Sequence, residues 1–348
     1  MNLEKYSKIS FLFCLIILLN LFVIFSFSTG AEAKLILKYS HTNNVYDATQ
    51  LEAEVFKKLV EERTSNEIQI DIFPGTLTTS EEEAMEFMLS GLADISSISA
   101  GHIAGFYQDV QFMQLPYLFN SPEHYTVAKQ SWPIRKLIEG IEEKTGLRVL
   151  GIVSDTNGMA IASKNPIKSI EDCNGVKLRC MQNPLFIDTY NAFGFAATPT
   201  DWGELYTSLQ TGVVEANDLS VKANYDYKFN EVVKSFAITN QMWTQRFTFI
   251  SPKTWDKLSQ EQREIIEISA KEASELTDQY QYAKEKVFIE KAKADGFVVT
   301  YPDIEKFKDA SQKVYDKWFK KYPHWKSWYE DIQYLDPYER ETKAATAQ

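Results

Sequence analysis

Arg179 ends the short apolar stretch Val176-Lys177-Leu178-Arg179, and Cys173 and Cys180 flank it. A guanidinium is a rigid fork of donors that keeps its charge when partly desolvated, so an arginine at a strand end suits a carboxylate or sulfonate held by two parallel hydrogen bonds. The same residue equally serves as an internal or surface ion-pair partner, and its position alone does not separate the two roles. Polar residues follow other strand-like stretches (Ser40 to Asn43; Ser96, Ser97 and Ser99), and Trp202, Tyr206 and Trp243 are aromatics suited to walling a pocket.

Groups that could catalyse are sparse. The chain has no GxSxG elbow, phosphate-binding GxxxxGK loop, GxGxxG turn or HExxH helix. His41 and His102 each follow a strand-like stretch, where α/β proteins place ligand groups, while His124 and His324 read as surface residues. Glu81, Glu82 and Glu83 read as the solvated, favourable start of a helix rather than as an acid–base cluster. Cys173 and Cys180, the two cysteines that follow the N-terminal apolar run containing Cys14, and four scattered histidines have no zinc-like spacing. A non-enzyme without metal or cofactor is the expectation. Whether Cys173 and Cys180 bridge stays open: extended chain would hold them too far apart unless Asn174-Gly175 turns it back.

The elements that must position these residues alternate. Leu35–Tyr39 reads as a strand, and Ala48–Glu62 as a helix with Leu51, Val55, Phe56 and Leu59 on one face. Glu67–Phe73 reads as a strand, Ser80 as the start of a helix running to about Gly91, and Ala93–Ser99 as another strand. Pro122–Gly140 reads as mostly helical, Leu147–Val153, Met159–Ala162 and Val176–Arg179 as strands, and Pro184–Phe193 as a helix. Parallel α/β architecture is the implication. Ser259 and Gln262 have the form of a capping box opening a helical pattern to about Asp295. Unbroken, it spans roughly 50 Å and backs two lobes; an unmarked break would make it two helices. The Trp- and Tyr-rich tail reads as packing on the body.

The N-terminus sets the compartment. Lys5 and Lys8 precede an apolar run from Phe11 to Phe27, followed by Ala31-Glu32-Ala33, the pattern of an export signal cleaved after Ala33. A retained membrane anchor is the competing reading. Export places the chain in the periplasm, with no stable membrane insertion after cleavage. Removing Lys5, Lys8, Glu4 and Glu32 leaves the net charge of −11 unchanged, which disfavours nucleic acid as a partner. The 348-residue chain is long enough for two lobes even without its leader. Hydrophobic content of 44% with 24% charged residues excludes a disordered chain.

The stretches "NPIKSIEDCNGVKLRC" and "GFAATPTDWGELYTSLQTGVVEAND" resemble the solute-binding proteins of TRAP transporters, the DctP family. The matching positions are Pro166, Ser169, Asp172, Gly175, Lys177 and Arg179, then Gly194, Pro199, Glu204, Tyr206, Leu209, Gln210, Gly212 and Val214. "GLADIS", "LPYLF" and "LSQEQREII" resemble further family segments, so the similarity covers nearly the whole mature chain.

The resemblance implies a two-lobe periplasmic binding protein fold (type II-like) with an interlobe cleft and a long bridging helix. Lobe I would be 34–156 with about 246–285 returning to it. Lobe II would be 157–245 with about 286–348 packed on it. By resemblance Arg179 holds a ligand carboxylate and Trp202 walls the pocket, while His41, Ser99 and Gln241 line the cleft, with Trp243 as a second apolar wall. Met159 stands where several relatives carry a second arginine, which disfavours ligands needing two cationic clamps. Glu215-Ala216 and Asp218-Leu219-Ser220 depart from the family pattern, with Asn217 as a nearby stand-in. The implied ligand is a small organic anion, carboxylate or sulfonate, although an aromatic box also suits a zwitterion. The implied partners are TRAP permease membrane subunits, and the chain itself is read as a monomer. Service to an ABC importer or sensor kinase is one alternative. An exported hydrolase, with a serine or cysteine bonded to His41 or His102, is another.

Overall fold

A computed structural model describes residues 34–156 and 158–336; the expected export signal and its cleavage site lie outside the described residues. Two separate sheets form. The first has the order β2-β1-β3-β10-β4 and is built from β1 (Leu35–His41), β2 (Ile68–Pro74), β3 (Ile95–Ser99), β4 (Arg148–Thr156) and β10 (Thr244–Ile250). The second, β11-β9-β5-β8-β6-β7, is built from β5 (Ile161–Ser163), β6 (Lys177–Cys180), β7 (Ala196–Pro199), β8 (Ala216–Asn217), β9 (Ser235–Ala237) and β11 (Val298–Thr300). We call the halves that carry them lobe I and lobe II.

Both sheets are mixed, not parallel as the alternation of elements implies. In lobe I, β1 runs parallel to β2 and β3, but β10 returns from the other lobe in the opposite sense and lies antiparallel to both β3 and β4. In lobe II, β5 is antiparallel to β8 and β9. A strand that re-enters a sheet after a crossing need not come through a helix on its own face, so its direction is free of the βαβ constraint.

Local signals in the chain explain most elements. Asp47, Ser80, Ser121 and Ser259 each accept a backbone hydrogen bond with their side chains and start helices at Ala48, Glu81, Pro122 and Gln260. Gly91 takes a left-handed φ of 82° to end the helix Glu81–Ser90. The expected helix from Pro122 to Gly140 is instead two helices, Pro122–Ala128 and Trp132–Thr145. Pro133, near the start of the second, suits a helix start but not its middle. Cys173 and Cys180 are both buried free thiols, so no bridge closes around Arg179.

The capping box at Ser259 opens one unbroken 35-residue helix, Gln260–Ala294. In lobe I it buries Ile266, Ala270 and Ala273 beneath the sheet, and Asp278 accepts a 2.7 Å bond from the Ser154 amide and pairs with Lys129 at 2.5 Å. In lobe II the same helix buries Ala292, and Glu285 accepts the Val221 and Lys222 amides at 2.7 and 2.9 Å.

The tail is shared between the lobes and does not belong to lobe II alone. Phe307 joins a lobe II cluster, whereas Val314, Tyr315, Trp318, Trp325, Trp328 and Ile332 sit in the lobe I core. The reason is aromatic packing: Trp318 stacks on Trp325 at 5.6 Å, and the edge of Phe112 meets Trp328 at 5.4 Å. The indole of Trp318 nevertheless donates to Asp188 of lobe II at 2.9 Å.

Behind β1, Glu52 is fully buried and accepts hydrogen bonds from Tyr39 and from Thr248, the latter at 2.9 Å. Burial raises its pKa from 4.5 to about 7, partly offset by these bonds. A carboxyl with a raised folded-state pKa stabilises the fold below its unfolded pKa, and that stability is lost as pH climbs towards about 7. The expected size is about 3 kcal/mol for this rise. Denaturation midpoints at pH 5 and pH 8 should therefore differ less for Glu52→Gln than for the unsubstituted protein; an equal difference would remove Glu52 as a source of that pH dependence.

Candidate functional site

Between the two sheets lies a cavity of about 510 Å³, lined by residues of both lobes, a size that suits a small ligand. Arg179 reaches it from β6, in register with Thr198 of β7 and Asn217 of β8. Arg179 is 4% exposed, and its Nε donates to the Thr200 carbonyl at 3.1 Å. That bond fixes the fork, and among the described residues Arg179 makes no other hydrogen bond. The indole of Trp202 lies 5.6 Å from the guanidinium carbon, and this ring is braced edge-on by Tyr227 at 4.8 Å and Phe229 at 5.5 Å.

A carboxylate also stands beside Arg179. Asp218 Oδ1 is 3.6 Å from Nη1, an ion-pair distance longer than a hydrogen bond. Burial pushes the Asp218 pKa up, and the Arg179 charge partly opposes this. The pairing leaves the cavity in front of the guanidinium, since both residues line it.

Lobe I contributes a second charged pair. Arg246, on β10 opposite Ser99 of β3, donates to Glu81 at 2.6 Å and to the Ser97 hydroxyl and carbonyl at 3.2 and 2.9 Å. Glu81 also accepts from the Ser99 hydroxyl at 2.5 Å and the Ser99 amide at 3.1 Å. Burial would raise the Glu81 pKa, but the Arg246 charge and these hydrogen bonds outweigh it and hold the carboxyl below its usual range. Glu81 is therefore a wall of the cavity and not part of a solvated face. Its first-turn neighbour Glu83 does face water, accepting from the Thr79 amide and hydroxyl.

Of the residues the sequence singled out, the structure brings Arg179, Trp202, Ser99 and Met159 to the cavity. The other four stand behind it. His41 is fully buried in lobe I, its Nε2 bonded to Gln50 at 2.8 Å, with burial lowering its pKa. Trp243 is core, packed on Tyr125 and Phe119. Gln241 donates to the Tyr190 hydroxyl at 3.2 Å and accepts from Thr239 within lobe II. Asn217 donates to Asn224 at 2.9 Å and accepts the Leu219 amide at 3.2 Å. It shapes the turn that presents Asp218, Leu219 and Ser220 to the cavity. His124, read as a surface residue, is buried and bonds the Ile332 carbonyl at 2.8 Å.

The lobes touch across the cavity rim. Tyr227 of lobe II donates to Asp47 of lobe I at 3.1 Å, Lys222 donates to the Tyr46 carbonyl at 3.3 Å, and Asn183 donates to Gln114 at 3.3 Å. Gly101 sits so near Met181 that a Cβ at this position would fall 2.9 Å from Met181 Cε. Sequence reasoning missed Arg246, Asp47 and Tyr227. Arg246 had one signal, a charge directly before the mostly apolar run Phe247-Thr248-Phe249-Ile250; the cross-cleft pair had none.

Residues 39–322 match the model of the family described as bacterial extracellular solute-binding protein, family 7 (DctP). The chain is 25% identical over 300 residues to the 2,3-diketo-L-gulonate-binding periplasmic protein of Escherichia coli K12, covering 86% of this chain and 91% of that one. It is 27% identical over 288 residues to the ectoine-binding periplasmic protein of Halomonas elongata, covering 80% and 83%. Among solved structures, the TRAP periplasmic solute-binding protein of Polaromonas bound to D-erythronate superposes with a TM-score of 0.75 at 25% identity, covering 87% of this chain and 98% of that one. The Haemophilus influenzae protein with bound L-gulonate superposes with a TM-score of 0.78 at 23% identity, covering 87% and 100%, a likeness of fold. With a family model spanning most of its length and that family's fold around the cavity, the chain belongs to family 7 of the bacterial extracellular solute-binding proteins, the DctP family of TRAP solute receptors.

Proposed function

We propose that this chain captures a small organic carboxylate in the interlobe cavity and presents it, with the lobes drawn together, to the membrane subunits of a TRAP permease. The observation that carries this reading is the Arg179 guanidinium. It is buried and fixed at Nε by Thr200, and it faces the cavity without a second hydrogen bond among the described residues. A fork held in that way is preorganised for a carboxylate, and little freedom remains to be lost on binding. Two relatives bind 2,3-diketo-L-gulonate and D-erythronate, both organic acids. A sulfonate offers the same geometry to the fork and remains within the reading.

No bond is made or broken. A solute held by Arg179 on lobe II gains further contacts with the Ser99 and Glu81 wall of lobe I only when the lobes approach, so binding favours closure. The permease then reads the closed form. A hydrolase would need a nucleophile on a histidine, but the His41 ring is bonded to Gln50, and Ser99 bonds the backbone amide of His102 and not its ring. The export signal, the periplasmic location and the monomeric state belong to the same proposal.

Two outcomes test it. In a thermal-shift screen with small carboxylates and sulfonates, a solute that binds only the folded protein raises the melting temperature. Arg179→Ala should abolish that shift while melting cooperatively, with affinity falling between about 10-fold and 150-fold as a charge-assisted pair is lost. An undiminished shift would rule out Arg179 as the clamp. Tyr227→Phe removes a cross-cleft hydrogen bond without touching the fork, and calorimetry should show affinity weakened by about fivefold, the value of one ordinary hydrogen bond. Unchanged affinity would exclude that bond from closure.

A further inference from the structure

Asp218 is fully buried, lines the cavity, and follows directly on β8, whose Asn217 is in register with Arg179 of β6. Its Oδ1 lies 3.6 Å from Arg179 Nη1. It also meets the Tyr190 hydroxyl. That oxygen accepts from Gln241 at 3.2 Å, so its own hydrogen is free for the Asp218 carboxylate, a better acceptor than the Met159 sulfur 3.6 Å away. Before a solute binds, one guanidinium thus faces one carboxylate, and the two buried charges cancel.

A solute carboxylate on Arg179 upsets that balance. Two carboxylates then share one guanidinium in a water-poor site, which leaves a buried negative charge without a partner. The other groups around Asp218 do not absorb it. Cys180 on β6 and Tyr190 on the helix Pro184–Ala192 are neutral, because burial pushes the thiol up to about 12 and the phenol well above its usual range. On the helix Val221–Asp226, Lys222 is already paired with Asp226. From lobe I, Arg246 is paired with Glu81, and Asp47 accepts from Tyr227 at the rim. Where like charges share a site, one of them takes a proton. Asp218 is predisposed to do so, since burial already lifts its pKa and the Arg179 charge only partly opposes this.

We propose that the protein binds its solute together with one proton, which Asp218 takes up from solvent as the solute carboxylate seats on Arg179. The protonated Asp218 then donates a hydrogen bond to the carboxylate it would otherwise repel, and the site holds one cation and one anion. This rests on the carboxylate reading of the cavity and adds a second, ionic ligand to it. Because binding raises the proton affinity of Asp218, solute affinity grows as pH falls between the solute-free and solute-bound pKa of this group. The gain is up to about tenfold per pH unit, and the profile levels off on either side.

Calorimetry tests this with a panel of monocarboxylates of three to six carbons, L-lactate, D-erythronate and D-gluconate among them, which stay ionised above about pH 6. For the tightest binder, heats measured in phosphate, HEPES and Tris, whose ionisation heats differ, should report uptake approaching one proton within about pH 6 to 9. Asp218→Asn, checked for cooperative melting, should still bind, with no proton uptake and a flat pH profile, whereas Glu52→Gln should keep the uptake of the unsubstituted protein. Should Asp218→Asn fail to fold, infrared difference spectra of the unsubstituted protein take its place: adding the solute should produce a protonated-carboxyl band that shifts when aspartate is labelled with carbon-13. Binding without uptake across that range, uptake that survives in Asp218→Asn or vanishes in Glu52→Gln, or a band indifferent to the label would each overturn the proposal. In those cases the clamp stands if Arg179→Ala still abolishes binding. If no acid of the panel binds, the carboxylate reading itself falls, and this inference with it.

Discussion

A guanidinium removed from water must be paired, and the surroundings of Arg179 follow from that requirement. Burying a cation without an anion costs far more than any single contact returns. The fold meets this partly: Thr200 takes Nε, Trp202 lies near the guanidinium at the distance of a cation–π contact, and Asp218 supplies a counter-charge at 3.6 Å. None of these completes the fork. In the proposed function the solute's carboxylate is what completes it.

The rest of the architecture holds that fork opposite a second wall. The 35-residue helix is unbroken along its length and is anchored in lobe I through Asp278 and in lobe II through Glu285. β10 crosses back into lobe I and carries Arg246 to the cavity, but Glu81 and Ser97 occupy that side chain. Lobe I therefore offers a neutralised polar surface, and lobe II holds the unfinished pair. That asymmetry fits a solute that docks on lobe II first. Tyr227–Asp47 and Lys222–Tyr46 then join the lobes beside the cavity.

Much of this was legible in the chain. Helix starts are local, because a serine or aspartate side chain answers the backbone amides two or three residues on, and the helix starts at Ser80 and Ser259 are legible from that chemistry. Arg179 was legible through its strand-end position and the motif around it. What was not legible is non-local. The direction of β10 is set by a crossing between lobes. The placing of Glu81 at the cavity depends on Arg246, 165 residues away, and in sequence it is indistinguishable from its first-turn neighbour Glu83. His41 and Gln241 are placed at the cleft by the family resemblance and Trp243 by its aromatic character, but a rotation of one residue in or near a strand turns a side chain from cavity to core. Most of the tail's aromatics pack in lobe I because its indoles find partners in Phe112 and one another, a choice invisible to periodicity.

A crystal structure of the protein with its tightest-binding acid tests the central claim most directly. The account predicts the ligand carboxylate within about 2.7–2.9 Å of the Arg179 guanidinium nitrogens, with Nε still on the Thr200 carbonyl. An acid group found instead on Arg246 or Lys222, with Arg179 drawn onto Asp218, would contradict it.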